Sequence, residues 1–156
     1  MLYPIALVAD LLLKKGWMLC SAESCTGGLI AAACTDLSGS SQWFERGFVT
    51  YSNAAKTEQL GVAPELIAQF GAVSEPVVRA MVAGALAHAK AQAAVAVTGI
   101  AGPSGGSADK PVGTVWFGFA MKEQIHSEKC QFTGDRAEVR NAAVRHAITR
   151  LAELLD

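Results

Sequence analysis

Apolar and polar positions change period along this chain, and each change marks an element. Residues 4–14 carry apolar side chains on a helical face and predict a first helix. Residues 17–22 form a short apolar run and predict a strand. Residues 26–36, "TGGLIAAACTD", are helical in composition once past their glycines, and residues 46–51, "RGFVTY", read as a second strand. Ser52 or Asn53 then caps a short helix through "AAKTEQL". Residues 75–90 predict a longer helix, with Ser74 as its cap, Pro76 in its first turn, and Val78, Met81, Val82 and Ala85 on one face.

"AAVAVTG", residues 93–99, is unbroken in its apolarity up to Thr98, as a strand buried on both faces must be. Residues 112–120 and 125–132 predict an edge hairpin. Asp135 and Glu138 have the spacing of a capping box, and Val144, Ile148, Leu151 and Leu155 form the stripe of a last helix. Strands alternating with helices predict an α/β protein, a three-layer α/β/α sandwich on a mixed, mostly parallel sheet. The 156 residues suit one domain spanning 1–156.

Composition narrows the function classes. The net charge of −1 argues against a nucleic-acid surface, which needs a basic stripe. No apolar run reaches the length of a membrane span. Asp10 interrupts the apolar amino terminus, which lacks the basic start and cleavage site of a signal peptide. The cysteines, Cys20, Cys25, Cys34 and Cys130, show no C-x-x-C pair or zinc spacing, and are expected to be reduced thiols in a cytoplasm. His88, His126 and His146 are scattered, so neither a metal site nor a cofactor is expected.

Candidate chemistry gathers where strands end. "SAESCTGG", residues 21–28, places Ser24, Cys25 and Thr26 between a strand and a helix, followed by Gly27 and Gly28. Ligand sites of open parallel sheets lie beyond such strand ends. Ser24 is therefore placed as a nucleophile, with helix-start N–H groups near the glycines as oxyanion donors. Alternatively, Ser24 or Thr26 only caps the helix. Glu23 could orient a neighbour or act as an acid, and Cys25 is a rival nucleophile.

A serine hydroxyl needs a base, and a lysine of lowered pKa can serve. Lys56 lies in the first turn of a predicted helix, where the dipole disfavours a cation, although a lone lysine is ordinarily a solvated surface residue. Tyr51 could share in proton handling or simply pack. "TGIAGPSGG", residues 98–106, is a glycine-rich loop suited to close approach of backbone to a phosphate, ribose or ring, or else a plain flexible connection. Arg136 and Arg140, four apart at the start of the last helix, suit a phosphate or, more blandly, solvent or Glu138.

Taken in order, "AESCTGG", "GFVTYSNAAK", "VTGIAGPSGG", "KPVGTVWFG" and "GDR" closely resemble the CinA carboxy-terminal domain family over nearly the whole chain. The resemblance implies an α/β/α sandwich, association into homo-oligomers, and hydrolysis of nicotinamide mononucleotide to nicotinate mononucleotide and ammonia, without metal or cofactor. It implies Ser24 as nucleophile and Lys56 as base, with Tyr51 and Thr26 close by. It also implies a nucleotide held by Gly27, Gly28, Thr98, Gly99 and Gly102, with Arg136 and Arg140 at the basic end. Two other readings compete: a degenerate paralogue that binds a nucleotide and regulates a partner, and a Cys25-dependent amidase of another small amide.

Overall fold

The computed structural model describes residues 4–156. Its order of elements is α1 (Ile5–Lys15), β1 (Leu19–Glu23), α2 (Leu29–Thr35), β2 (Phe44–Val49), α3 (Asn53–Leu60), α4 (Pro64–Phe70), α5 (Glu75–Ala87), β3 (Ala93–Gly99), β4 (Thr114–Met121), β5 (Gln124–Gln131) and α6 (Arg136–Leu155). The sheet has five strands in the order β2-β1-β3-β4-β5. β2, β1 and β3 are parallel neighbours, and β4 runs antiparallel to both β3 and β5. β4 is thus the one reversed strand, and β4 with β5 forms the predicted edge hairpin.

β3 explains why both faces of the sheet are dry. Its Ala93, Val95 and Val97 join a core formed with α1, α2 and α6, which includes Val8, Leu12, Ile30 and Ile148. Its alternate residues, Ala94 and Ala96, join the opposite core with Val78, Met81 and Val82 of α5. The period of two delivers alternate side chains to opposite layers, so an uninterrupted apolar run is what this position requires. Alanines on the α5 side let that helix lie close to the sheet. Gly118 on β4 continues this close approach, because a Cβ there would sit 3.0 Å from the Val78 carbonyl oxygen.

Boundaries moved where local chemistry overruled composition. α2 begins at Leu29 rather than at residue 26, because Gly27 (φ 58°) and Gly28 (φ 106°) adopt left-handed backbone that cannot continue a helix. α5 stops at Ala87, with His88 closing its end through Nδ1, 2.7 Å from the Gly84 carbonyl oxygen. Ser74 precedes α5 as expected, but its hydroxyl donates to the Gly71 carbonyl instead of capping the helix. Ser52 is the cap of α3, accepting from Ala55 N at 3.0 Å. The Asp135–Glu138 capping box forms in both directions, at 2.9 and 3.0 Å.

Gly84 lets α5 approach the end of α3 closely. A Cβ on Gly84 would collide with the Leu60 carbonyl at the last residue of α3. Gly84→Ala is expected to lower stability by about 2–3 kcal/mol, the cost of forcing a well-packed helix contact apart. Urea denaturation at constant m-value checks this.

Candidate active site

Three strand ends and one helix start converge on a cavity of about 270 Å³. Ser24 directly follows β1, and its N–H donates to the Val97 carbonyl of β3 at 3.0 Å, so the parallel ladder runs one residue past the strand. Thr50, just past β2, donates its N–H to the Glu23 carbonyl at 2.9 Å. These bonds bring the carboxyl ends of three parallel strands level. α3 then starts immediately above them.

Lys56 supplies the decisive contact. It is 1 % exposed, and its Nζ lies 3.1 Å from Ser24 Oγ, which is itself buried. The same nitrogen lies 2.9 Å from the Thr50 carbonyl oxygen and 3.5 Å from that of Tyr51. A neutral amine has two N–H donors and one lone pair. The two carbonyls can only accept from Nζ, whereas the serine hydroxyl can accept from an ammonium or donate to the lone pair of a neutral amine. Burial holds the Lys56 pKa below lysine's ordinary value, with the neighbouring Cys25 thiol opposing in part. The positive end of α3 acts in the same sense as burial. No Asp or Glu lines this cavity, whose basic side chains are Lys56 and Arg136.

The expected site residues separate into two groups. Ser24, Lys56, Tyr51, Thr98, Gly99, Gly102 and Arg136 line the cavity. Thr98 is 1 % exposed and anchors the wall by donating to the Ala72 carbonyl at 2.9 Å. Arg136 donates to the Gly102 carbonyl at 2.8 Å and to the Tyr51 hydroxyl at 3.0 Å. That hydroxyl therefore sits at the mouth against Arg136, with the Tyr51 ring largely exposed.

Thr26, Gly27, Gly28 and Arg140 lie behind Ser24 instead of in the wall. The Thr26 hydroxyl donates to Glu23 Oε1 at 2.6 Å. Gly27 N–H is spent on the Ser24 carbonyl at 3.0 Å, closing the turn. Both glycines are required by their left-handed backbone, not by a ligand's approach. The first N–H groups of α2 are covered too, since Ile30 N and Ala31 N donate to the Glu23 carboxylate at 2.9 and 3.0 Å. Of the expected oxyanion donors at residues 27–28, the Gly27 N–H is therefore engaged within the turn. Arg140 donates to the Cys25 and Thr26 carbonyls at 3.1 and 3.3 Å, so it braces the loop after Ser24 from behind.

Sequence reasoning did not single out Asn53, Ala72 and Val73, which also line the cavity. Asn53 was weighed only as a cap. The Ala72–Val73 stretch between α4 and α5 carries no local signal, and enters through the Thr98–Ala72 hydrogen bond. Cys25 lines the cavity as well, but burial pushes its thiol up to about 11, which keeps it protonated near neutral pH instead of as the reactive thiolate. A larger groove of about 450 Å³ between α3 and α4 is walled by Ala54, Pro64 and Ile67, and holds neither Ser24 nor Lys56.

A serine paired with a buried amine at the carboxyl edge of a parallel sheet defines an α/β protein equipped for acyl transfer. The chain belongs to the CinA C-terminal domain family, whose model matches residues 4–155. It is 61 % identical over 143 residues to the nicotinamide-nucleotide amidohydrolase PncC of Enterobacter agglomerans, covering 90 % of this chain and 87 % of that protein. Identity to the protein of the same name from Escherichia coli K12 is 55 % over 146 residues, or 92 % and 88 % of the two chains. The crystal structure of the competence/damage-inducible protein CihA from Agrobacterium tumefaciens superposes with a TM-score of 0.92 at 44 % identity, covering 100 % of this chain and 99 % of the other.

The lowered Lys56 pKa has a signed consequence for stability. Between the folded pKa and lysine's ordinary value, the unfolded chain binds a proton that the native chain does not. Unfolding free energy therefore rises with pH through that window, and the contribution is lost as pH falls to the folded pKa. Urea denaturation across a pH series should show a positive slope in the wild type that is flatter in Lys56→Met. Equal slopes would mean that Lys56 is charged in the folded protein.

Proposed function

We propose that this chain hydrolyses the carboxamide of nicotinamide mononucleotide, releasing ammonia and nicotinate mononucleotide. The observation that carries the proposal is the 3.1 Å contact between Ser24 Oγ and the buried Lys56 Nζ. The extensive identity to amidohydrolases named for nicotinamide nucleotides supports the substrate class. A cavity lined by the Arg136 guanidinium and by no carboxylate favours a ligand carrying a phosphate.

The mechanism is acyl transfer in two steps. Lys56 takes the Ser24 hydroxyl proton as the oxygen attacks the carboxamide carbon. The resulting ammonium then donates that proton to the departing nitrogen, and ammonia leaves an acyl-serine. In the second step Lys56 accepts a proton from water as it attacks the ester, then returns that proton to the departing Ser24 oxygen, leaving serine and amine as they began. Approach of the cationic pyridinium ring disfavours a second positive charge beside it, so substrate binding keeps Lys56 neutral. The same ring withdraws electrons from the carbonyl, which aids a serine served by a single base.

Arg136 is the phosphate contact in this reading. The Gly102 carbonyl and the Tyr51 hydroxyl hold its guanidinium at the mouth, while a guanidinium has five donors to offer. Tyr51 thus serves as a positioning residue for Arg136, and Thr98, Gly99 and Gly102 hold the nucleoside. Thr26, Gly27, Gly28 and Arg140 keep Ser24 in place from behind. The whole chain acts as one amidohydrolase domain, as a homo-oligomer in the cytoplasm. The free thiols of Cys20, Cys25, Cys34 and Cys130 support a reducing compartment. No helix among the described residues is long and apolar enough to cross a membrane.

Ammonia release from nicotinamide mononucleotide by the purified protein tests the activity directly. Ser24→Ala and Lys56→Ala should each lower turnover by at least about a thousandfold, and Cys25→Ala should retain most of it. Full turnover in Ser24→Ala would refute the nucleophile. Arg136→Ala should raise KM more than it lowers kcat, as loss of a uniformly used binding contact does. An unchanged KM would remove Arg136 from the phosphate site.

A further inference from the structure

A second cluster of reactive side chains lies across the sheet edge from the cavity. His126, Glu128 and Cys130 alternate along β5, so they share the face that packs under α6. α6 presents His146 and Arg150 to them. His146 Nε2 lies 2.7 Å from Glu128 Oε2 and 3.5 Å from Cys130 Sγ. On the other oxygen, Glu128 Oε1 is 2.9 Å from His126 Nε2 and 2.8 Å from Arg150 Nε. The ligand atoms of Glu128, Cys130 and His146 all fall within 4.8 Å of one another.

We propose that Cys130, His146 and Glu128 form a binding site for a divalent d-block cation of the zinc type. In a tetrahedral zinc site, bonds of about 2.3 Å to sulfur and about 2.05 Å to nitrogen put those two atoms roughly 3.5 Å apart. The Cys130–His146 spacing already has that value. The Glu128–His146 contact must open by about half an ångström as the ion takes the place of their shared proton. Water completes the coordination. The Cys130 thiol gives its proton to solvent on binding, and the thiolate and imidazole together select zinc-like ions over magnesium or calcium.

The surroundings suit this role. The His146 ring packs with its centroid 4.5 Å from that of Phe117 and 6.2 Å from that of Phe132, which fixes where Nε2 points. Arg150 and His126 hold Glu128 Oε1, leaving Oε2 on the side of His146 and Cys130. Such outer partners orient a carboxylate ligand. Glu128, His146 and Cys130 are each partly exposed, so an ion can enter from solvent. An ion-pair network around Glu128 has no need of a thiol, whereas the thiol is what a zinc-like ion adds to such a network. The bound ion would clip β5 to α6, the helix whose first residue is Arg136.

Titration of the full-length protein with Co²⁺, followed by Zn²⁺ displacement, tests the proposal. Wild type should show a thiolate-to-cobalt charge-transfer band with the strong visible bands of a tetrahedral site, and Zn²⁺ should abolish both. Cys130→Ser should lose the charge-transfer band and bind more than about tenfold more weakly, with His146→Gln and Glu128→Gln weakened in the same sense. Zn²⁺ should raise the Tm of wild type and not that of Cys130→Ser, whose metal-free Tm reports on its folding. Absence of the band in wild type, or equal Co²⁺ affinity in wild type and a folded Cys130→Ser, would overturn the site. A band that survives Cys130→Ser and disappears in Cys25→Ser would also overturn it, by moving the ion to the cavity.

Discussion

The structure is organised around a lysine amine buried without a carboxylate partner. Removing a cation from water is costly, and Lys56 offsets that cost with two backbone carbonyls and one hydroxyl, all uncharged. Those partners can satisfy a neutral amine fully. A nearby Asp or Glu would stabilise the ammonium and raise its pKa instead. The carboxylate next in line, Glu23, is instead consumed by Thr26 and the first N–H groups of α2. Placing that negative charge behind the loop keeps the lysine's surroundings neutral and caps a helix in the same stroke.

Around this pair the fold works as a rigid mount. The parallel ladder carries Ser24 one residue beyond β1 and aligns it with the ends of β2 and β3. Arg140 holds the carbonyls of Cys25 and Thr26, so the loop after Ser24 is tied to α6. On the other side, the end of α3 is pressed against α5 at Gly84. α6 therefore serves two ends at once. Its start offers Arg136 to the cavity, and its middle packs His146 over the hairpin.

The elements themselves were legible in the residues. The Asp135–Glu138 box and the Ser52 cap rest on interactions between near neighbours, and the 93–99 run carries its burial on both faces in its own composition; each formed as the pattern predicts. Ser24 and Lys56 were legible as chemistry, since one sits at a strand end and the other at a helix start. Less legible were the glycines and arginines. Gly27 and Gly28 looked like room for a ligand, yet positive φ angles account for them. Arg136 and Arg140 looked equivalent at a spacing of four, but one faces the mouth and the other the back of the loop.

The reason lies in the range of the forces. Sequence by itself determined periodicity, caps, turn chemistry and the pool of reactive side chains, because those depend on residues a few positions apart. Only tertiary structure decided which of them meet. The contact between Ser24 and Lys56 spans 32 positions, and that between Cys130 and His146 spans 16. Burial of Lys56, and with it the lowered pKa, is a property of what packs over the amine from other elements. No local pattern encodes it, because desolvation is set by the whole surrounding volume.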